Sequence, residues 1–439
     1  MSAKFLRNVL LKAFLLFLLF NLLWAALNPA GVGKLTLYNT LFRGRERLPF
    51  GENPSESYNL SLYDLDAMML SHKLTAGVKP AGEFRVIVVG DSSAWGTLLR
   101  PDEALAGLLD SAGLATTDER YVRVYNLAYP TLSLTKDLIL LEEIKAYKPD
   151  LILWLVTLES FRESAQLESP IVANNLDRVK QLVDTHGVDL HIPDGRQTFW
   201  QRTIIGQRRA LADLIRLQAY GVMWSATGID QIYPQDYTPA ARDLEADNST
   251  PGWQPPALRE TDVRLDLVDA GLRIAGNVPV WIINEPILIS QGVNSEIRYN
   301  FYYPRWAYDQ YRQLMEETSM ERGWTYFDYW DLVPQAEFTN SAIHLTPFGE
   351  TLLADVPIPS IKAGHALVKT AASLVSAGTE RMLVEFAEKS LLGKARSRPD
   401  LARQVVDKAR REGLLTTLDA ALNRLDQPMP LGYSSAGVV

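Results

Sequence analysis

The chain has 439 residues, 47% of them hydrophobic and 22% charged, a balance that fits a folded protein of one or two domains and excludes a disordered one. A net charge of −8 argues against general nucleic-acid binding. There is no cysteine, which excludes disulfides, cysteine zinc sites and a thiol nucleophile.

Val9 to Leu27, VLLKAFLLFLLFNLLWAAL, is almost wholly apolar, with Asn21 inside it. Its length suits a bilayer crossing, which takes roughly 20 residues. Lys4, Arg7 and Lys12 on its amino side favour a cytoplasmic N-terminus and a main domain on the far side. Trp24 then falls near the far interface. A cleaved signal peptide is the competing reading, but no convincing small-x-small site follows, so an uncleaved anchor over 1–30 is expected. Residues 31–83 read as a stalk and wrapping segment. Within it, Tyr63-Asp64-Leu65-Asp66 reads as a helix N-terminus rather than a metal site.

Arg85 to Val89 is an uninterrupted β-branched run, the pattern of a strand buried on both faces. Gly90-Asp91-Ser92-Ser93 ends it with turn and helix-start chemistry. A helix follows over Glu103–Ala112, then a second strand over Val122–Tyr125 with the exit loop Asn126–Thr131. Ser133 or Thr135 caps a helix reaching Lys148, and Leu151–Val156 is a third strand leaving through Thr157-Leu158-Glu159-Ser160. This alternation predicts a parallel sheet with right-handed crossovers. It brings Ser92, the Asn126–Thr131 loop and the Thr157–Ser160 loop to one edge, where open α/β sheets hold ligands.

From about 161 to 259 the pattern changes, and the segment reads as an insertion covering that edge. Ile204–Ile229 reads as one helix, with Leu211, Leu214, Ile215, Leu217 and Met223 on one stripe and Arg208, Arg209 and Arg216 opposite. A packing helix is expected there, with a helix lying on a membrane surface as the alternative. The α/β rhythm resumes with a helix over Glu260–Ala275, a strand over Val280–Asn284, a helix over Arg305–Gly323 and a strand over Trp324–Phe327. The aromatics of Asn300–Trp306 read as core rather than as a sugar platform.

His344 lies in the block FTNSAIHLTPFG, just before a closing helix over Gly349–Ala354. It reaches the same sheet edge and can accept the Ser92 proton as a general base. The plain alternative for Ser92 is a capped helix start. His72, His186, His191 and His365 lack such a setting and read as surface or packing residues.

The motifs GDSS at Gly90–Ser93, NLAYPT at Asn126–Thr131 and HLTPFG from His344 resemble the SGNH/GDSL hydrolase superfamily over about 84–354. The resemblance is nearest to membrane-anchored relatives linked to cell-surface polysaccharide. It implies a three-layer, flavodoxin-like α/β fold around a five-stranded parallel sheet, with the insertion added. It implies an esterase or O-acyltransferase, with Ser92 as nucleophile and His344 as base. Backbone N–H groups of Ser92 and of the Ala128–Thr131 turn would hold the oxyanion, supported by Asp91 and Asn126. The substrate would be an acylated glycan or other ester, with no cofactor and no metal. Three positions depart from the pattern. The third loop carries Glu159, an acceptor when ionised, where the family has an oxyanion-donating Asn. The acid expected three residues before the histidine is Ser341, with Asn340 beside it, leaving Glu337 or Asp328 as substitutes. The second-loop glycine is absent. A catalytically degenerate glycan-binding or assembly protein is therefore the second reading.

The last segment, 355–439, resembles the start of the GroES-like barrel of medium-chain dehydrogenases, carried by VSAGTE at 375–380 and LGYSSAG at 431–437. Ser376 and Tyr433 occupy the zinc-ligand positions, and no dinucleotide-binding unit follows. The expectation is a truncated fragment, joined by a fused or misassembled reading frame near Leu353–Val356, with amphipathic helices over 380–411. An oxidoreductase reading rests on this segment alone.

Overall fold

The structure, a computed structural model, describes residues 2–27, 37–50, 63–192, 198–227, 237–355, 369–374 and 434–438. Five strands, β1 (Glu83–Val89), β2 (Tyr121–Asn126), β3 (Leu151–Val156), β4 (Val280–Asn284) and β5 (Thr325–Asp328), form one sheet in the order β2-β1-β3-β4-β5. Every pairing is parallel. This is the flavodoxin-like arrangement expected of the five-stranded parallel sheet, with β1 and β3 side by side in its interior.

The helices, in chain order, begin with α1 (Ala3–Leu27), α2 (Leu37–Leu41) and α3 (Leu65–Ser71), which precede the sheet. α4 (Ser92–Trp95) and α5 (Leu105–Ser111) connect β1 to β2, and α6 (Leu134–Ile144) connects β2 to β3. α7 (Pro170–Ala173), α8 (Leu176–His186), α9 (Arg208–Thr227) and α10 (Leu265–Ala275) lie between β3 and β4. α11 (Arg305–Arg322) leads into β5, and α12 (Pro347–Ala354) closes the domain.

Alternating side chains of the central strands feed two separate cores. Ile87, Val89, Ile152, Trp154 and Ile282 pack with Leu138, Leu141, Val268 and Tyr311 from α6, α10 and α11. Val86, Val88, Leu153, Leu155 and Ile283 pack with Ala94, Leu105 and Leu353 from α4, α5 and α12. Three layers result, as a sheet with two apolar faces requires. Of the Asn300–Trp306 aromatics expected in the core, Tyr303 is a core residue, Tyr302 and Trp306 pack against the core half-buried, and Phe301 is exposed.

Local chemistry moves several boundaries. Glu103 stays outside α5 because its carboxylate accepts from the Arg100 N–H at 2.9 Å. Asp64 caps α3 by accepting from the Ala67 N–H at 3.0 Å, the helix-start role read from the sequence. The helix expected from Ile204 starts only at Arg208. Residues 200–206 form a turn in which Gly206 approaches so closely that a Cβ there would lie 2.4 Å from the Trp200 carbonyl oxygen. The expected single stripe of α9 is also split. Leu214 is buried, whereas Ile215 and Met223 turn outward.

α1 is long and apolar enough to cross a membrane. Residues 1–223 with 230–354 form one compact unit. A second unit, 224–229 with 355–439, contains β6 (Lys369–Leu374) paired antiparallel with β7 (Ser434–Val438). The remaining tail positions read above, including 380–411, Ser376, Tyr433 and His365, lie outside the described residues, as do 28–36 and 51–62 of the anchor end and stalk and 193–197 and 228–236 of the insertion.

Candidate active site

Gly90 sets the turn after β1. A Cβ at this position would meet Ala94 Cβ at 2.9 Å and Leu155 Cβ at 3.1 Å, so only glycine lets α4 fold back onto β3. Asp91 caps α4, its side chain accepting from the Ser93 N–H at 2.8 Å. Asp91 and Ser93 are buried, and Ser92 alone of the three reaches the surface. As the first residue of α4, Ser92 has no intrahelical carbonyl for its N–H.

His344 arrives from the opposite end of the chain. Its loop is held by the Phe338–Leu345 bridge, by the Thr339 N–H donating to the His344 carbonyl at 2.9 Å, and by the Leu288 N–H donating to the Ala342 carbonyl at 2.7 Å. The ring Nε2 lies 2.8 Å from Ser92 Oγ, and Nδ1 lies 2.9 Å from Asn340 Oδ1. An amide oxygen only accepts, so Nδ1 carries the proton and Nε2 is left to accept from the serine hydroxyl. Burial lowers the His344 pKa to about 4, because the charged ring loses water. Asn340 is neutral and adds no compensating charge. The ring is therefore unprotonated at neutral pH.

The other sequence candidates fall elsewhere. Asn126 stitches loops: its amide donates to the Ala94 carbonyl at 2.9 Å, and its Oδ1 accepts from the Ala128 N–H at 3.1 Å. The expectation that the Ala128–Thr131 turn offers N–H groups to an oxyanion needs correction. The Ala128 N–H is held by Asn126, the Tyr129 N–H donates to the Gly90 carbonyl at 3.0 Å, and the Thr131 N–H donates to the Tyr129 carbonyl at 2.8 Å. Thr131 still lines the cleft through its side chain, whose hydroxyl lies 2.8 Å from Ser169 Oγ. Glu159 is buried and paired with Arg162 at 2.6 Å, so it does not line the cleft. Ser341 Oγ accepts from the Ile343 N–H at 3.3 Å rather than meeting the ring. Neither proposed acid substitutes for the missing one: Glu337 holds the Thr346 hydroxyl, and Asp328 pairs with Arg312 at 2.7 Å. His72 is fully buried and His186 pairs with Glu142 at 3.0 Å, both as packing or surface residues.

The cleft over Ser92 and His344 has a volume of about 330 Å³ and is walled by Phe50, Thr97, Leu98, Pro130, Thr131, Leu132 and Asn340. Among the described residues, none of the 161–259 insertion lines it, and Phe50 from the wrapping segment forms part of its wall. A larger groove of about 490 Å³ lies at Arg264 and Arg322. Both arginines are already paired, with Glu163 and Asp266 and with Glu260 and Asp269 respectively, and the groove contains neither Ser92 nor His344.

Beneath Ser92 is a buried charge network that the sequence did not reveal. Lys136, wholly inaccessible, donates to the carbonyls of Gly90 (2.5 Å) and Tyr129 (3.0 Å) and pairs with Asp137 at 2.8 Å. Asp91 lies beside Glu285, at the exit of β4, and both are buried. Burial raises both carboxyl pKa values, and the Asp91 charge pushes Glu285 further up. Glu350 of α12 is raised to about 8 by burial while accepting from the Leu105 N–H at 3.1 Å. The one available signal was a carboxylate immediately after a strand, in Asn284-Glu285-Pro286.

The fold and the site together define an α/β domain carrying a Ser–His–Asn constellation at a strand exit. No family model and no curated protein matches the chain. Among solved structures, it is similar to a carbohydrate acetylesterase family member from Sinorhizobium meliloti, at 11% identity over 62% of this chain and 93% of that one, TM-score 0.28. It is also similar to the aryl esterase of M. smegmatis, at 12% identity over 62% and 96%, TM-score 0.27. A third is LAE5, an alpha/beta hydrolase enzyme from the metagenome of Lake Arreo, Spain, at 12% identity over 62% and 91%, TM-score 0.27. Likenesses this slight decide nothing by themselves; the chemistry of the site rests on Ser92, His344 and Asn340.

Proposed function

We propose that the protein is a serine-dependent ester hydrolase or O-acyltransferase, held to a membrane by α1 with its main domain on the extracytoplasmic side. The contact of 2.8 Å between Ser92 Oγ and His344 Nε2 carries this reading. Ser92 Oγ attacks the acyl carbonyl as its proton passes to Nε2, and Asn340 keeps the ring in the tautomer that can receive it. The oxyanion meets the Ser92 N–H at the positive end of α4. Collapse expels the alcohol, which takes the proton from the imidazolium and leaves an acyl-serine. Water, or a second hydroxyl in an acyl transfer, then attacks with His344 again as base. The cleft volume of about 330 Å³ suits a short acyl group on a larger alcohol, and an acylated surface glycan is the substrate class this reading favours.

One observation favours a second reading, a binding protein without turnover. The N–H groups of Ala128, Tyr129 and Thr131 are engaged, and Glu159 supplies no donor. The full chain, incubated with a fluorophosphonate probe and separately with an activated acetyl ester, distinguishes the two. Labelling and turnover that vanish in Ser92→Ala support the enzyme. Equal, negligible signal in both proteins overturns it in favour of binding.

A further inference from the structure

α1 does not stand apart from the domain. Asn21, the polar residue in its apolar run, is almost fully buried, and its Oδ1 accepts from the Ile205 N–H at 3.2 Å. One turn on, the Trp24 indole donates to Gln207 Oε1 at 3.2 Å. The turn that begins α9 is therefore seated on the C-terminal end of the apolar helix. Asn21 lies six residues before the end of α1, or about 9 Å along its axis.

What this seat presents outward is apolar. Trp200 is 71% exposed, Ile205 52% and Ile215 73%, with Phe199 beside Trp200. Ala212, Ile215 and Ala219, spaced by three and four, share one exposed face of α9. Arginines accompany it: residues 198–223 contain Arg202, Arg208, Arg209 and Arg216 against the single acid Asp213. An apolar stripe flanked by arginines, with a tryptophan and a phenylalanine at one end, is the composition of a helix lying in a bilayer interface. Such helices sit about 5–10 Å into the headgroup–acyl boundary, which matches the depth of Asn21 from the end of α1. A backbone N–H at that depth needs a protein acceptor, and Asn21 supplies one to Ile205.

We propose that residues 198–223 form a second membrane contact, an interfacial element bound to phospholipid in the same bilayer that α1 crosses. The proposal rests on α1 being a span. Its ligand is lipid, since the turn that leads into this face is hydrogen-bonded to the C-terminal end of the apolar helix α1.

The absence of cysteine makes the test direct, because single cysteines can be introduced without background. The full chain in phosphatidylcholine–phosphatidylglycerol vesicles is spin-labelled at Trp200→Cys, Ile215→Cys, Leu16→Cys in α1, and Val78→Cys, a 93% exposed position on the domain. Collision with oxygen, which enters lipid, is compared with collision with a water-soluble nickel chelate. Positions 200 and 215 should favour oxygen, as position 16 does, and position 78 should show the reverse. Labels at 200 and 215 that behave like 78 while 16 remains lipid-exposed overturn the proposal and leave the span intact. If 16 is aqueous as well, the span reading fails and this proposal with it. Labels at 200 and 215 shielded from both reagents and broadened by a neighbouring spin overturn it in favour of a second copy on that face.

Discussion

β1 and β3 lie side by side, and both end in a short polar stretch at the same sheet edge. After β1, the turn buries Asp91 and Ser93 but leaves Ser92 open to the cleft. After β3, Thr157, Glu159 and Ser160 are all buried, with Thr157 donating to the Tyr303 hydroxyl at 3.3 Å and Glu159 held by Arg162. Edge position gives a loop access to ligand; the partners already waiting inside decide which side chain uses it. The β3 loop has traded chemistry for packing, and the β1 loop keeps one hydroxyl unspent because Asp91 meets the capping demand next to it.

Ser92→Ala tests this contrast most severely. Turnover of an activated ester should fall by at least about three orders of magnitude, while Ser160→Ala stays within a few-fold of the parent. Comparable losses in both would erase the distinction between the loops. Lys136→Met should come next, by removing the cation that ties the Gly90 and Tyr129 carbonyls and leaving Asp137 buried without its partner. A loss of about 3–5 kcal/mol is expected from denaturant unfolding, and an unchanged midpoint would mean the network does not hold the β1 turn.

Asn340→Asp acts on His344 through the contact at Nδ1. A carboxylate beside Nδ1 favours the imidazolium, so the acid limb of kcat/KM should move upward from its position near pH 4. A limb that stays in place would detach Asn340 from the base. The smallest effect concerns the floor of the site. The native Glu350 carboxyl keeps its proton up to about pH 8, whereas the unfolded chain loses it near its ordinary value of 4.5. The native state therefore holds the extra proton between those values, and stability declines as pH rises through them. Glu350→Gln should match the parent below pH 4.5 and show a higher Tm that grows toward pH 8. A difference independent of pH would refute that origin.

The sheet was legible because β1 and β3 are unbroken β-branched and apolar runs between turn residues, a pattern that tertiary context rarely overrides. Ser92 and His344 stood out by their loops. Asn340 was visible only as a neighbour of Ser341, since a contact between residues four apart in an irregular loop leaves no periodic trace. Lys136 was hidden because a lysine near the start of LTKDLILLEEI reads as a solvated position. Burial there depends on two loop carbonyls that need a donor, and only the assembled turns create them. Phe50 precedes the first strand by more than thirty positions, so its place in the cleft wall follows from how the wrapping segment runs and not from any local signal.

Asn21 sets a limit on how this chain can be rebuilt. With α1 replaced by another helix of equal length and hydropathy, the Ile205 amide would lose its acceptor and the Gly206 turn its footing. The first 27 residues thus behave as a structural part fitted to one partner segment, and chimeras that exchange them should carry a matching asparagine at the same height.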